Sequence, residues 1–255
     1  MGLKEKTDFP KGVEREIKLD WINLKIVEME NAKQVVIFCP WLPESSWYND
    51  GIIKYISNEY NISCIYPQYK WTWQSDWVFL NESPSKDIES IIQNIRWWKI
   101  IKNSNTPITL IGSSFWWGIA LSLSWNNDIS KIIALSPLTV NSNNVDRDWL
   151  FQYIKNQRPE YRVDDKWYER LKSWKLIKIP NKYPEWKVVI GAISWDPEIN
   201  YKELSRESIR KSATFLENIT LEKNEKKHLS WSVLNRSDKS IKDAIFKSLD
   251  IPNNR

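Results

Sequence analysis

The hydrophobic and polar positions of the chain form two kinds of segment that follow one another repeatedly. Short apolar or alternating runs predict strands, and apolar residues that recur every three or four positions predict helices. Strands are predicted at residues 15–19, 23–29, 33–39, 62–66, 108–111, 131–135, 188–193 and 219–222. Helices are predicted at residues 48–60, 85–103, 115–125, 203–212 and 239–249. This alternation predicts an α/β fold, with a mostly parallel eight-stranded sheet and helices on both faces.

A tight turn is predicted between the first two strands, at Asp20 and Trp21. Two strand-like runs joined by such a short polar connection predict an antiparallel hairpin. An Asp-Gly pair at this place would be a strong turn sequence, because glycine accepts a positive φ without steric cost. We therefore expect the chain to begin its sheet with a hairpin.

Residues 138–185 differ from the rest of the chain, because they are polar and carry no strong strand pattern. Two short helices are predicted within them, near 147–156 and 164–174. We interpret this segment as a short lid or cap insertion within a single domain that covers residues 1–255.

Four long polar or aromatic side chains in this insertion allow two interpretations. They either contact an anionic substrate or form a solvated face, and the spread of charges favours the solvated face. The four residues are Tyr153, Arg158, Tyr161 and Arg162.

One turn combines a strand, a sharp bend and a helix around a serine. The run at 108–111 leads into Gly112, Ser113 and Ser114, and an apolar helical run starts at Phe115. A serine hydroxyl becomes a strong nucleophile only when a base accepts its proton. The start of a helix favours the negative oxygen that such an attack creates. The alternative is that Ser113 or Ser114 caps the helix, as serine commonly does.

Two further residues fit the same chemistry by their places in the chain. His228 is the single histidine, and it follows the last predicted strand. Asp196 follows the strand at 188–193, in a loop where a carboxylate can orient an imidazole. The alternatives are a solvated histidine and a turn aspartate. Together with Ser114, however, they follow strands whose carboxyl ends meet at one sheet edge, where open α/β sheets bind ligands.

The balance of tryptophan and glycine in this chain is abnormal. It contains 17 Trp and 6 Gly, whereas average usage gives about 7% glycine, or roughly 18 residues. Many of the tryptophans stand where turns are predicted, and tryptophan accepts a positive φ poorly. Some bacteria decode UGA as glycine, and translating that codon as tryptophan produces this pattern. We therefore predict that most of these tryptophans are glycines, and that Trp73, Trp116 and Trp195 show a strained or positive φ.

The chain resembles the α/β-hydrolase superfamily over nearly its whole length once these tryptophans are replaced by glycine. Residues 112–118 then become Gly-Ser-Ser-Phe-Gly-Gly-Gly, which is similar to the family's nucleophile elbow. Residues 70–75 become Lys-Gly-Thr-Gly-Gln-Ser, which is similar to a glycine-rich loop of many members. Residues 39–42 become Cys-Pro-Gly-Leu, placed like the oxyanion loop, and 194–197 become Ser-Gly-Asp-Pro at the acid position.

The resemblance implies a serine hydrolase that cleaves a carboxylic ester, a thioester or an amide. It implies Ser114 as nucleophile, His228 as general acid and base, and Asp196 as the carboxylate that orients the histidine. It also implies an oxyanion hole made by the backbone N–H of Phe115 and one from Trp41 or Leu42. No metal or organic cofactor is expected, and the partner is a small acyl substrate. The alternatives are a non-catalytic binding protein or an acyltransferase on the same fold.

Composition and charge further limit which classes of partner are expected. The chain is 42% hydrophobic, its net charge is +5 and its pI is near 9.0. The basic residues are spread over the chain without a long basic block, so we expect a solvated surface and no nucleic-acid site. Cys39 and Cys64 lie in apolar runs and are expected to be buried free thiols. Without an apolar leader or a run long enough to span a membrane, we expect a cytoplasmic protein; its oligomeric state stays open.

Overall fold

The computed structural model describes residues 12–39, 53–54, 56–58, 60–69, 72, 75–76, 81–97, 99–113, 115–135, 147–158, 160–164, 166, 169–170, 180, 182–185, 187–191, 202 and 206–215. Its strands are β1 (Val13–Leu19), β2 (Ile22–Glu28), β3 (Val35–Cys39), β4 (Ser63–Gln68), β5 (Ile108–Ser113), β6 (Ile129–Leu135), β7 (Val188–Gly191) and β8 (Ala213–Phe215). Its helices are α1 (helical residues between 53 and 60), α2 (Pro84–Arg96), α3 (Phe115–Ser122), α4 (Arg147–Gln157) and α5 (Glu207–Arg210).

All eight strands form one sheet in the order β1-β2-β4-β3-β5-β6-β7-β8. The pairs β1–β2 and β2–β4 are antiparallel, and the five pairs from β4–β3 to β7–β8 are parallel. The predicted α/β sheet of eight strands is therefore confirmed, but it is mixed rather than mostly parallel. The physical reason is the tight hairpin, which reverses β2 so that it runs against the β4 strand beside it.

The predicted N-terminal hairpin is confirmed in detail. Leu19 pairs with Ile22, so Asp20 and Trp21 form a two-residue turn. Asp20 has a φ of 50°, in the left-handed region that such turns require of their first central residue. Aspartate tolerates this region better than most residues because its short side chain forms local hydrogen bonds.

The core lies on the central strands and on the helices that pack against them. Every residue of β3 and β4 is buried, as expected for parallel strands covered on both faces. Helix α2 contributes Ile88, Ile91, Ile92 and Ile95, whose three- and four-residue spacing places them on one buried face. Burying each of these side chains contributes about 2 kcal/mol of hydrophobic stabilisation.

Helix α2 ends earlier than the predicted 85–103 segment. The N–H of Lys99 donates to the carbonyl of Asn94 over 3.0 Å, a bond that spans five residues and closes a helix C-terminus. The guanidinium of Arg96 then bonds to the carbonyls of Ser104, Thr106 and Asp128 and pairs with the Asp128 carboxylate. These bonds organise the connection between α2 and β5 as an ordered loop.

The carboxyl-terminal part of the sheet differs from its predicted boundaries. Strand β8 occupies Ala213–Phe215 and directly follows α5. The predicted last strand at 219–222 and the last helix at 239–249 lie outside the described residues. Of the insertion, α4 confirms the helix predicted near 147–156. Among the helices that the structure describes, none is both long and apolar enough to cross a membrane.

Candidate active site

The carboxyl ends of the parallel strands form one edge of the sheet. Cys39 at the end of β3 pairs with Gly112 of β5, and Ser113 pairs with Leu135 at the end of β6. Gly191 of β7 pairs with Leu135 from the other side. The segments that leave these strands therefore start side by side. Ligand sites in α/β sheets occupy this edge.

The structure places a strand and a helix on either side of Ser114. Ser113 is the last residue of β5, and Phe115 is the first residue of α3. Ser114 itself lies outside the described residues, so its geometry stays a prediction. Because Phe115 is the first helical residue, its backbone N–H has no acceptor within α3. An N–H without an acceptor in its own helix suits the predicted oxyanion hole.

Gly112 is the most tightly enclosed position described at this edge. A Cβ atom built on Gly112 would lie 2.3 Å from the carbonyl oxygen of Cys39 and 2.9 Å from its Cβ. Both distances are shorter than real contacts of such atoms, and the closer one is to backbone. Glycine is therefore required here to let β5 approach β3. This contact joins the strand before the nucleophile to the strand before the predicted oxyanion loop.

The other predicted site residues lie outside the described part of the chain. They are Asp196, His228, Trp41 and Leu42. What the structure describes is where their segments begin. Strand β3 ends at Cys39, before Trp41 and Leu42, and β7 ends at Gly191, before Asp196. Both ends belong to the edge that carries Ser113. The distances within the predicted triad stay untested.

The prediction that Trp116 has a strained backbone is wrong. Trp116 lies in α3, and among the described residues only Asp20 and Asn61 are non-glycine residues with a positive φ. Trp73 and Trp195 lie outside the described residues. A helical φ at position 116 is compatible with glycine as well as with tryptophan. The nucleophile-elbow motif has glycine two positions after its serine, so the proposed glycine at 116 is not excluded.

A buried polar group beside this edge was not anticipated from the sequence. Cys39 and Tyr69 are both fully or almost fully buried, at the ends of β3 and β4. Burial raises the pKa of the Cys39 thiol to about 12, although its hydrogen bond with Tyr69 lowers it in part. Burial also raises the pKa of Tyr69, and Cys39 and then the Asp87 carboxylate add to that effect. The thiol is therefore neutral at physiological pH and unsuited to act as the nucleophile.

Both cysteines are buried free thiols, as predicted. Burial raises the pKa of Cys64 to about 12 as well, against an ordinary value of 9.0. The unfolded chain thus loses these protons at lower pH than the folded protein does. Stability is therefore fully present below pH 9.0 and lost progressively as the pH rises toward 12. The expected slope is about 1.4 kcal/mol per pH unit for each thiol.

Urea unfolding at pH 8, 9 and 10 measures this loss. The double variant Cys39→Ala/Cys64→Ala should be less stable at pH 8, because it leaves two cavities, yet its stability should fall less steeply above pH 9. An equally steep fall in wild type and double variant would show that the thiols do not cause it.

Among the residues that the structure describes, no three or more His, Cys, Asp or Glu side chains are grouped so that they could hold a metal ion. The part of this edge that the structure describes includes the end of β5 and the start of α3, which flank the predicted nucleophile Ser114.

Several solved structures share the fold of this chain at low sequence identity. The Francisella virulence factor BioJ has a TM-score of 0.63 at 15% identity, and the likeness covers 96% of this chain and 86% of that one. The α/β hydrolase GrgF from Penicillium has a TM-score of 0.61 at 14% identity, covering 94% and 99%. An esterase from Pyrococcus furiosus has a TM-score of 0.60 at 13% identity, covering 94% and 92%.

No protein-family model matches the chain, and no curated protein matches it. The likeness to solved structures nevertheless extends over nearly the full length of both partners in each comparison. It includes proteins described as an α/β hydrolase and as an esterase. Similarity at such low identity reports on architecture alone. The chain therefore has the α/β-hydrolase fold.

Proposed function

We propose that this protein is a serine hydrolase that cleaves a small carboxylic ester, thioester or amide in the cytoplasm of a bacterium. The observation that carries the proposal is the junction of β5 and α3, which flanks Ser114 at the carboxyl edge of the sheet. The likeness to an esterase and to other hydrolases of this fold supports it. The two buried free thiols suit a reducing compartment.

In the proposed mechanism, the Ser114 hydroxyl attacks the carbonyl carbon while His228 accepts its proton. Asp196 keeps the imidazole in the orientation and tautomer that this transfer needs. The oxyanion accepts hydrogen bonds from the backbone N–H of Phe115 and from one N–H of Trp41 or Leu42. His228 then protonates the leaving group, and an acyl-enzyme remains. Water attacks the acyl-enzyme with His228 as base, which releases the acid and restores the serine.

Labelling with a fluorophosphonate probe tests the proposal directly, because only an activated serine reacts. We expect covalent labelling at Ser114 in the wild-type protein and none in Ser114→Ala. An unlabelled wild-type protein would favour a non-catalytic binding protein. Labelling together with transfer of the acyl group to an acceptor other than water would favour an acyltransferase.

We also propose that most of the tryptophans stand for glycines encoded by UGA, and two helix ends support this. The N–H of Ile62 donates to the Ser57 carbonyl over 3.3 Å, and the residue before Ile62 is Asn61, with a φ of 53°. The same five-residue bond joins Lys99 to Asn94 at the end of α2. Helices closed in this way usually have glycine directly before the donor residue. At this position the second helix has Trp98, which lies outside the described residues.

Exposed indoles at chain reversals support the same proposal. Trp21 is 49% exposed in the hairpin turn, and Trp97 and Trp125 are 61% and 54% exposed after α2 and α3. Tryptophan is highly buried on average, because its large apolar surface gains most from leaving water. Glycine at these places would leave no large apolar side chain exposed to water.

Peptide mass spectrometry of the protein from its native host tests the recoding. We expect glycine at positions 98 and 116, whereas a tryptophan encoded by UGG in the same gene should stay tryptophan as an internal control. Tryptophan at both 98 and 116 in the native peptides would overturn the proposal. It would also favour the non-catalytic alternative, because Trp116 would then crowd the turn two positions after Ser114.

A further inference from the structure

A short part of the insertion, residues 158 and 160–163, is held against the body of the protein; we name it the strap. The sequence favoured a solvated face here, but Tyr161 is only 3% exposed. Val163 packs against the hydrophobic core, and Ile154 of α4, just before the strap, is 1% exposed. The solvated-face prediction is therefore wrong for Tyr161. The strap begins where the N–H groups of Arg158 and Tyr161 close the turn that follows α4.

The strap is joined to the loop that follows β4. We call this loop the β4 loop and describe it by residues 72, 75 and 76. Thr72 and Tyr161 form an antiparallel β-bridge. The guanidinium of Arg162 donates through Nη1 to the backbone carbonyl of Ser75. The pKa of the exposed Asp76 carboxyl is lowered mainly by its hydrogen bond with Lys18, and the positive charge of Arg162 lowers it further. Arg162 thus adds a side-chain anchor to the backbone bridge.

The β4 loop is itself fixed to the sheet. The Ser75 hydroxyl accepts the backbone N–H of Asn23 over 2.6 Å and donates to the Gln68 carbonyl. The N–H of Asp76 donates to the Trp21 carbonyl over 3.0 Å, in the hairpin turn. Thr72 and Ser75 are 1% and 0% exposed. The strap is therefore tied to an ordered base, and its position follows that of the sheet.

The distance of this base from the candidate nucleophile is set by the strand order. Strand β3 lies between β4 and β5, so the end of β4 is two strand spacings, or about 10 Å, from the end of β5. Thr72, which is bridged to Tyr161, comes soon after that end, whereas Ser75 is bonded to Asn23 of β2, one strand further away. An acetyl group attached to Ser114 is too short to span this distance. An octanoyl chain that runs along the edge toward β4 is long enough to reach the strap. A strap bridged to Thr72 at this distance can therefore meet a long acyl group, but not a short one.

We propose that Arg162 is a positioning residue that fixes the strap to the β4 loop and thereby sets the preference for acyl-chain length. The inference rests on the proposed serine hydrolase activity. A strap that is already ordered binds long acyl chains more tightly, because binding does not have to offset the entropy lost when a mobile strap becomes ordered. When Arg162 loses its bond to Ser75, the backbone bridge at Tyr161 remains but the strap becomes more mobile. The cost falls on long substrates and leaves the attack by Ser114 unchanged.

Turnover of p-nitrophenyl acetate and p-nitrophenyl octanoate by Arg162→Met tests the proposal. We expect kcat/KM for the octanoate ester to fall about 10-fold through a higher KM, with the value for the acetate ester within about 2-fold of wild type. Arg162→Lys keeps a donor and a charge and should restore most of the octanoate activity. Arg170→Met is the matched control, because Arg170 pairs with Asp164 of the same insertion over 2.7 Å; its octanoate-to-acetate ratio should equal that of wild type.

An equal fall for both esters in Arg162→Met would show a general structural role and overturn the proposal, as would an unchanged ratio. If Arg162→Met does not fold, Asp76→Asn gives the same test at an exposed carboxylate, and it should lower the octanoate-to-acetate ratio in the same direction. An unchanged ratio in Asp76→Asn would then overturn the proposal. A failure of the hydrolase assignment is distinguishable, because the wild-type protein would hydrolyse neither ester and would not react with a fluorophosphonate.

Discussion

Replacing Ser114 with alanine is expected to lower kcat for a small chromogenic ester by roughly 10³-fold to 10⁶-fold. Without the hydroxyl, no acyl-enzyme forms, and only substrate binding and the oxyanion donors remain to assist attack by water. The loss should appear in kcat and not in KM, because the hydroxyl contributes mainly to the transition state. Initial rates with p-nitrophenyl acetate over a range of concentrations separate the two constants.

Ser113→Ala is the matched control for this experiment. Ser113 is the neighbouring serine and the last residue of β5, one position before the predicted nucleophile. We expect Ser113→Ala to keep at least about a tenth of the wild-type turnover, since it loses at most local hydrogen bonds. Full activity in Ser114→Ala, or loss of activity only in Ser113→Ala, would contradict the assignment of the nucleophile.

Gly112→Ala is expected to destabilise the protein by about 3 kcal/mol, at the upper end of overpacking effects. The added methyl group would meet the Cys39 carbonyl oxygen at 2.3 Å, and a backbone atom in a paired strand cannot move aside cheaply. The strands β3 and β5 must separate at their carboxyl ends to accept it. Because the elements that follow these strands carry Ser114 and Trp41, activity should fall more than stability alone predicts. Urea unfolding monitored by circular dichroism measures the change.

Gly12→Ala provides the comparison within the same sheet. A Cβ atom at Gly12 would approach Val27 Cγ1 at 2.7 Å and Met29 Sδ at 2.8 Å, both of which are side-chain atoms. The long methionine side chain can turn away, so we expect a loss of at most about 1 kcal/mol. Equal destabilisation by the two substitutions would show that the backbone contact at Cys39 is not what makes Gly112 necessary.

Much of the fold could be predicted from local pattern. The apolar runs at 33–39 and 108–111 are strands because they are long enough to cross a buried sheet and contain β-branched residues. Asp20 could be placed in the hairpin turn because few residues adopt its φ of 50°. The strand and helix around Ser114 were also predictable, since apolar spacing changes there from strand to helix. These are properties of neighbouring residues, and the sequence contains them directly.

The end of α2 was less predictable, because helical spacing continues past Arg96. The helix stops where the Lys99 N–H donates to the Asn94 carbonyl. There the Arg96 guanidinium also donates hydrogen bonds to the carbonyls of Ser104 and Asp128. Such bonds depend on where the following loop returns to the body of the protein. Spacing within the helix cannot report this, so the predicted helix was too long.

By itself, the sequence determined the α/β class, the hairpin, the strand and helix that flank Ser114 and the burial of both cysteines. Only the tertiary structure decided that β2 runs against β4, that Gly112 must admit the Cys39 carbonyl, and that Arg162 anchors the strap to Ser75. The physical reason is the range of the interactions. Turns and periodicity are set by residues a few positions apart, whereas strand neighbours and buried polar contacts join residues from distant parts of the chain, which a single sequence does not pair.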